Sequence, residues 1–378
     1  MPKVNSNPLI SVIITVKNVE EYLLECLNSV AKQTLKDLEI VVVYAESKDN
    51  TLNILKDFQK KDKRLKIFYQ ERPGIGVAKN CGIENSIGEY ITFLDGDDYY
   101  LDETALEKMY KGAKDHDVKV CGALRKVLTM NGKLENISLH RPYLVGFPKG
   151  RLFFYRDVQY DYHFHSYIYD RKMIINSDAR FAETRAYDDT HFFVRAMLAA
   201  EKFYVVPVEL YCYRCHESYS WSSSVCYEAL TSLIDELKFA KENHLYTLYY
   251  IVIQRINYEY GPQFEKHIRN GYFKLLELLL DVQNNVDDEI LYSVLRRMPS
   301  SCILDGMNLP NYDLKRTFFK GEEHFVLTPI FNLINNQVNE KSIDYKQEYM
   351  SIVNSRTFKV GRIVLWLPKK IMNLLHLR

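Results

Sequence analysis

The sequence lacks the features of a nucleic-acid-binding, membrane-spanning or disulfide-stabilised protein. Its 378 residues carry a formal net charge of only +1, whereas a domain that binds nucleic acid by overall electrostatics carries a large basic excess. No apolar run approaches the roughly 20 residues that a bilayer-spanning helix needs. The seven cysteines are an odd number and no secretory signal is evident, so we expect reduced thiols in a cytosolic setting.

The sequence instead has the composition and patterning of a globular α/β protein. Hydrophobic residues make up 47% of the chain and charged residues 26%, which permits a sizeable core. The runs "LISVIITV", "LEIVVVYA" and "EYITFLD" are typical of parallel strands buried on both faces, and segments with helical periodicity separate them. This alternation predicts βαβ units with a parallel sheet in a doubly wound α/β fold.

Helical patterns dominate beyond residue 225, where strand patterns largely stop. We therefore predict a first domain over residues 1–222, a mostly α-helical accessory domain over 223–345, and a tail over 346–378. The helical region contains no readable motif, so acceptor recognition, a homodimer interface and simple packing all remain open for it.

The tail ends in "RTFKVGRIVLWLPKKIMNLLHLR", which has six basic residues, no acidic residue and interleaved apolar residues. This composition is typical of a basic amphipathic helix at a membrane interface. We expect it to bind an anionic membrane surface and to hold a cytoplasmic protein at the inner face of the cell membrane. The alternative is a terminal helix that packs on the protein and leaves its basic residues solvated.

Three carboxylates follow the third of the strand-like runs, in "GEYITFLDGDDYYL" at 88–101. Asp95, Asp97 and Asp98 lie where the strand ends. Ligands of open α/β sheets bind beyond the carboxyl ends of the strands, and two carboxylates one residue apart favour a bound cation. The alternative is an Asp-rich turn before the next helix.

Several segments, in their order along the chain, together resemble a known protein family. The succession "ISVIITVKN", "LEIVVVYAESKDNT", "ERPGIGVAKNCGI" and "EYITFLDGDD" resembles the nucleotide-sugar half of family-two inverting glycosyltransferases with the GT-A fold. Downstream, "RAYDDTHFFVRAM" and "YCYRCHESYSWS" are similar to that family's acidic pair and to its late Tyr-Arg-x-His-x-x-Ser segment. The resemblance covers roughly residues 8–220 and implies a GT-A-type doubly wound mixed sheet. It also implies sugar transfer from a nucleoside diphosphate donor, first of all a UDP-sugar, to a glycan or lipid-linked acceptor.

The resemblance also implies roles for individual residues. It implies that Asp97, Asp95 and His216 bind Mn²⁺ or Mg²⁺, which would neutralise charge on the departing diphosphate. An ordinary surface histidine is the alternative for His216. The residues that the resemblance and its motifs place near the donor are Thr15, Val16, Lys17, Glu46, Gly76, Lys79, Asp95, Gly96 and Arg214.

An inverting transfer requires a carboxylate that deprotonates the acceptor hydroxyl. Asp188 and Asp189 match the family's Glu-Asp pair, which implies that Asp189 is the base and that Asp188 assists acceptor binding. Since the pair opens an apparent helix, N-capping and interaction with the helix dipole are alternative or additional roles.

The sequence departs from the family pattern near the nucleotide base. Thr15, Val16 and Lys17 stand where the family has Pro-Thr-Tyr-Asn as the usual pattern. Ala45 stands where the uracil-reading Asp normally falls, followed by Glu46. These changes put the identity of the base in doubt and favour an alternative function, a catalytically inactive protein that binds sugar nucleotides or a partner.

One further row of polar residues lies in "YDYHFHSYIYD" at 160–170. If the segment is a strand, Asp161, His163 and His165 share one face. Since a fourth metal ligand is missing from the row, we expect a role in the acceptor pocket or in the structure rather than a metal site.

Overall fold

A computed structural model describes residues 7–136, 150–177, 179–216 and 221–297. The chain divides after residue 220 into two compact units, of which the second is described over residues 221–297. The tail at 346–378 lies outside the described residues, as do residues 298–345 of the predicted accessory domain. The three-part division of the chain therefore stays a prediction.

The first unit is built on one mixed sheet. Its strand order is β3-β2-β1-β4-β9-β6-β10-β5, with β7 paired to β6 and β8 paired to β10. The strands are β1 (Ile10–Val16), β2 (Leu38–Tyr44), β3 (Leu65–Tyr69), β4 (Tyr90–Asp95), β5 (Tyr99–Tyr100), β6 (Val120–Leu128), β7 (Leu134–Asn136), β8 (Arg151–Phe154), β9 (Tyr167–Asp170) and β10 (Lys202–Arg214).

Helices flank this sheet and cover its apolar strands. They are α1 (Leu23–Ala31), α2 (Thr51–Lys61), α3 (Ile75–Asn85), α4 (Ala105–Asp115), α5 (Tyr155–Val158), α6 (Arg171–Asn176) and α7 (Asp189–Ala200). Strand β1 pairs in parallel with both β2 and β4, and all of β2 is buried. Such β-branched runs are typical of strands covered on both faces, and the predicted α/β architecture with a mixed sheet is confirmed.

The strand register brings distant residues to one edge of the sheet. The last pair of β1 and β4 is Thr15 with Asp95, so the two strands end together. Strand β10 runs antiparallel to β5, with Cys212 paired to Tyr99, which places the end of β10 beside the turn after β4. This edge therefore collects residues from both ends of the unit.

The strand predicted over 160–170 is wrong in its first half. His163 has a φ of 69°, Phe164–Ser166 form a 3₁₀ turn, and β9 begins only at Tyr167. Because the period-two alternation is broken there, Asp161, His163 and His165 do not share a strand face.

The described part of the second unit consists of helices: α8 (Ser223–Glu242), α9 (Tyr246–Gln254), a π-helical turn (Arg255–Glu259), α10 (Gly261–Arg269), α11 (Lys274–Asn285) and α12 (Asp288–Arg297). The segment "FEKHIRNGYFKLLELLLDV" is divided between two helices, α10 and α11. Gly271, with a φ of 91°, lies at the break. None of the helices in the described ranges is long and apolar enough to cross a membrane.

Candidate active site

The carboxyl end of β4 holds Asp95 in a fixed orientation. The Thr15 hydroxyl donates a hydrogen bond to Asp95 Oδ1 at 3.2 Å, and His165 Nε2 lies 3.0 Å from Asp95 Oδ2. Burial lowers the pKa of His165, so the neutral imidazole can donate its Nε2–H near pH 7. Burial alone would raise the pKa of Asp95, but His165 and Lys79 hold it below its ordinary value. Asp95 is therefore an ionised carboxylate with a partner on each oxygen.

Asp97 lies in the turn after β4 and meets His216, which follows the end of β10. The Asp97 Oδ2 to His216 Nε2 distance is 2.8 Å, and the two side chains are 32% and 41% exposed. Burial and the charge of Asp95 raise the pKa of Asp97. Within the described ranges, no three His, Cys, Asp or Glu side chains form a complete set of metal ligands. Asp97 and His216 are nevertheless a suitable pair of first ligands for Mn²⁺ or Mg²⁺, since both reach solvent.

The third carboxylate, Asp98, ties β10 to the turn after β4. It is only 2% exposed and accepts a hydrogen bond from the backbone N–H of Arg214 at 2.7 Å and another from the Tyr211 hydroxyl. Burial, followed by the charges of Asp95 and Asp97, raises the pKa of Asp98 to about 8. Its partners indicate a structural role that supports the other two carboxylates.

The guanidinium of Arg214 lies against the same turn. Its Nε donates to the Asp97 carbonyl oxygen at 2.9 Å and its Nη2 to Glu25 at 2.6 Å. The guanidinium also lies over the rings of Tyr22 and Tyr99, at 4.7 and 5.5 Å from their centroids. Arg214 is thus a positive charge held next to Asp97, while its contact with a phosphate stays a prediction.

A second acidic centre forms at the start of α7. Asp188 occupies the N-cap position but its side chain makes no capping hydrogen bond. Its Oδ2 instead lies 3.1 Å from the ammonium of Lys79 on α3, and both side chains are buried. Burial and the charge of Asp188 raise the pKa of Asp189, the first residue of α7, to about 7. A carboxylate with such a pKa suits general-base chemistry at neutral pH.

Tyr187 and Asp161 support the turn that leads into this acidic pair. Tyr187 has a φ of 60°, and its hydroxyl donates to Asp161 Oδ2 at 2.7 Å. A left-handed conformation is unfavourable for a bulky side chain, so this bond helps to hold the turn that leads into α7. Asp161 is fully buried, and its charge adds to the rise in the pKa of Asp189.

Two glycines permit close backbone approach at the site. A Cβ at Gly76 would lie 2.0 Å from the carbonyl oxygen of Ala182, in the segment that leads to Asp188. A Cβ at Gly96 would lie 2.8 Å from Val16 Cγ1. Gly76 thus allows α3 to lie against the segment that contains Ala182 and leads to Asp188. Gly96 allows the turn after β4 to pack onto the end of β1.

The remaining predicted donor contacts lie at the ends of β1 and β2. Lys17 and Glu46 are exposed, whereas the Val16 side chain is buried. The backbone N–H of Asn18 donates to the Ser47 hydroxyl at 3.0 Å, so the two loops form one rim. Contact of these residues with a nucleotide stays a prediction.

Sequence reasoning missed two supporting residues. The contact of His165 with Asp95 was not predicted, because a strand was predicted where the structure has a turn at His163. Tyr211, which hydrogen-bonds Asp98 across 113 positions, carries no local signal beyond its place in an apolar strand. Both contacts depend on strand order, which the sequence pattern does not supply.

Comparisons with known proteins agree with this fold. Residues 11–177 match the model of glycosyl transferase family 2. EpsJ of Bacillus subtilis, described as an uncharacterized glycosyltransferase, is 30% identical over 220 residues, which are 55% of this chain and 61% of EpsJ. The glycosyltransferase GlyG of Streptococcus pneumoniae is 38% identical over 113 residues, 30% of this chain and 37% of GlyG. The chain thus covers less than two thirds of each of these relatives.

Among solved structures, S. aureus TarS 1–349 in complex with UDP-GlcNAc superimposes with a TM-score of 0.58 at 22% identity, covering 74% of this chain and 82% of that one. The fold is therefore the GT-A-type fold of nucleotide-sugar transferases. The resemblance to family-two glycosyltransferases is confirmed over residues 11–177, which match that family's model.

Proposed function

We propose that this protein is a metal-dependent, inverting glycosyltransferase that moves a sugar from a nucleoside diphosphate to a glycan or lipid-linked acceptor in cell-surface polysaccharide synthesis. The main support for the proposal is that Lys79 interacts with both acidic centres. Its ammonium lies 3.1 Å from Asp188, and the charges of both Asp95 and Asp189 act on it. One centre suits a cation and the other a general base.

Asp97 and His216 would hold the divalent cation, with Asp95 held behind them. When bound, Mn²⁺ or Mg²⁺ neutralises the negative charge that develops on the departing diphosphate. Arg214 lies against the same turn and would add a second positive charge for phosphate oxygens, since a planar guanidinium suits them.

Asp189 would accept the proton of the acceptor hydroxyl, and Asp188 would assist acceptor binding. The acceptor oxygen then forms a bond to the anomeric carbon while the bond from that carbon to the diphosphate oxygen breaks. The electron pair leaves with the diphosphate. Attack from the face opposite the leaving group inverts the anomeric centre. The pKa of about 7 for Asp189 suits this step near neutral pH.

The place of the reaction is proposed from the sequence and from the relatives' family. Lipid-linked acceptors lie at a membrane surface, and the basic tail would hold the enzyme at the inner face of the cell membrane. A homodimer through the helical region is compatible with this arrangement.

One sequence feature favours the alternative of a catalytically inactive binding protein. Ala45 replaces the residue expected to read uracil. The next residue in the sequence, Glu46, has an exposed carboxylate side chain. A donor panel tests the two functions. We expect one sugar nucleotide, with UDP-GlcNAc the first candidate because TarS was crystallised with it, to release its nucleoside diphosphate in the presence of Mn²⁺ and acceptor lipid extract.

Matched variants give that assay its controls. Asp189→Asn should abolish release and keep donor binding, whereas Asp97→Asn should weaken both. Binding of one nucleotide sugar without any release, in wild type and Asp189→Asn alike, would support the inactive alternative instead.

A further inference from the structure

Lys79 occupies an unusual position for a residue expected to meet a diphosphate. It lies in the interior of α3 and is only 4% exposed. Its Nζ lies 3.1 Å from Asp188 Oδ2, and 4.5 and 5.0 Å from the ring centroids of Phe164 and Phe181. The ammonium is therefore enclosed by one carboxylate and two aromatic faces, which attract a cation.

The charge of Lys79 is permanent and reaches both acidic centres. Burial alone would lower the pKa of Lys79, but Asp188, Asp95 and Asp189 raise it above its ordinary value. In return, its positive charge lowers the pKa of Asp95 and opposes the rise in the pKa of Asp189. Separating this buried ion pair would leave two uncompensated charges in the protein interior. The two side chains are therefore held together.

We propose that Lys79 is a positioning residue: its buried ion pair with Asp188 fixes that carboxylate beside Asp189, and its positive charge favours the ionised, base form of Asp189. This inference rests on the proposed function of Asp189 as the base. It also assigns Lys79 to the acceptor side of the site instead of to the diphosphate. The close approach of Gly76 to Ala182 supports this placement, because it packs α3 against the segment that leads to the pair.

Other titratable groups also face this region. Asp161 lies before the 3₁₀ turn and Tyr169 lies on β9, and both interact electrostatically with Asp189. His165, in the 3₁₀ turn, interacts with Lys79 and is neutral near pH 7 because burial lowers its pKa. Of these groups, Lys79 is the one that favours the ionised form of Asp189.

The test compares Lys79→Met with Lys79→Arg and with the double variant Lys79→Met/Asp188→Asn, which removes both charges. In wild type, kcat/KM should fall below about pH 7 as Asp189 becomes protonated. Lys79→Met should move that acid limb to higher pH by about one unit, whereas Lys79→Arg should leave it near its original place. The double variant keeps the experiment informative if the single variant does not fold, since it buries no unpaired charge.

A second measurement separates this role from a diphosphate contact. Affinity for UDP, measured by calorimetry with Mn²⁺, should change less than about twofold in Lys79→Met, whereas loss of a charge-assisted bond to phosphate would cost about tenfold or more. Lys66→Met is the matched control, because Lys66 pairs with Glu39 at 2.8 Å away from the site. An unmoved acid limb together with a tenfold loss of UDP affinity overturns the inference.

The inference can also be tested if the protein transfers no sugar, an outcome that would count against the proposed function alone. Because Lys79 lowers the pKa of Asp189 in the folded state, Lys79→Met should shift the pH range over which Asp189→Asn stabilises the protein. Thermal unfolding of the four proteins in this cycle should show the range about one pH unit higher without Lys79. An identical range in both backgrounds contradicts the inference.

Discussion

Replacing the proposed base should stabilise the protein while abolishing its activity, and the gain should depend on pH. Asp189 has a folded-state pKa of about 7, against about 3.9 in an unfolded chain. A raised pKa means that the folded state binds the proton more tightly. The destabilisation is therefore absent below about pH 4, grows as the pH rises, and is complete above the folded-state pKa.

The magnitude follows from the difference between the two pKa values. At about 1.4 kcal/mol per unit, the raised pKa of Asp189 lowers the stability of the folded state by roughly 1–2 kcal/mol at pH 5 and by roughly 4 kcal/mol at pH 8. Asp189→Asn removes this cost, so its stability relative to wild type should increase by about 2 to 3 kcal/mol between the two pH values. For a folding unit of about 150–250 residues, such as the first unit, each kcal/mol is about 2 to 4 °C in Tm.

Chemical denaturation at pH 5, 6.5 and 8, in the absence of divalent metal and nucleotide, measures this gain. Asp57→Asn is the control, because Asp57 lies exposed on α2 and its pKa is lowered by Lys60. Its stability should show no gain toward pH 8. The reasoning is refuted if Asp189→Asn and wild type remain parallel across the pH range.

Three further predictions concern residues around the site. Gly76→Ala should destabilise the first unit by roughly 1–3 kcal/mol in denaturation experiments, because its Cβ would meet a backbone oxygen at 2.0 Å. An unchanged midpoint would contradict this close contact. Asp98→Asn should remain within roughly 1 kcal/mol of wild type at pH 7 without metal, since the pKa of about 8 keeps this group mostly protonated. A large loss of stability would contradict this expectation. His165→Ala should weaken Mn²⁺ binding, measured by electron paramagnetic resonance, more than His165→Gln, which retains a donor toward Asp95. Equal losses would exclude this supporting role.

Much of the first unit could be predicted from the sequence because its strands are unusually regular. Strand β2 was visible as "LEIVVVYA", and β4 with its terminal carboxylates was visible as "EYITFLDGDD". Parallel strands buried on both faces leave continuous apolar runs, and such runs are the pattern that a sequence shows most clearly.

The contacts of the site were harder to predict because they depend on tertiary placement. The turn at His163 breaks the strand that the alternating residues suggested, and it points His165 toward Asp95. The resemblance places Lys79 near the donor, yet in the structure it is buried against Asp188. Neither burial nor partner can be deduced from a position in a motif.

The proposed function requires a nucleotide site in which binding depends on a divalent metal held by Asp97. The most direct measurement is calorimetric titration of the full chain with UDP, GDP, CDP, dTDP and ADP, each with and without Mn²⁺, in wild type and Asp97→Ala. We expect one nucleoside diphosphate to bind wild type only with Mn²⁺, and Asp97→Ala to lose this binding. Equal affinity with and without Mn²⁺, or no binding of any of the five by folded wild-type protein, would contradict this expectation.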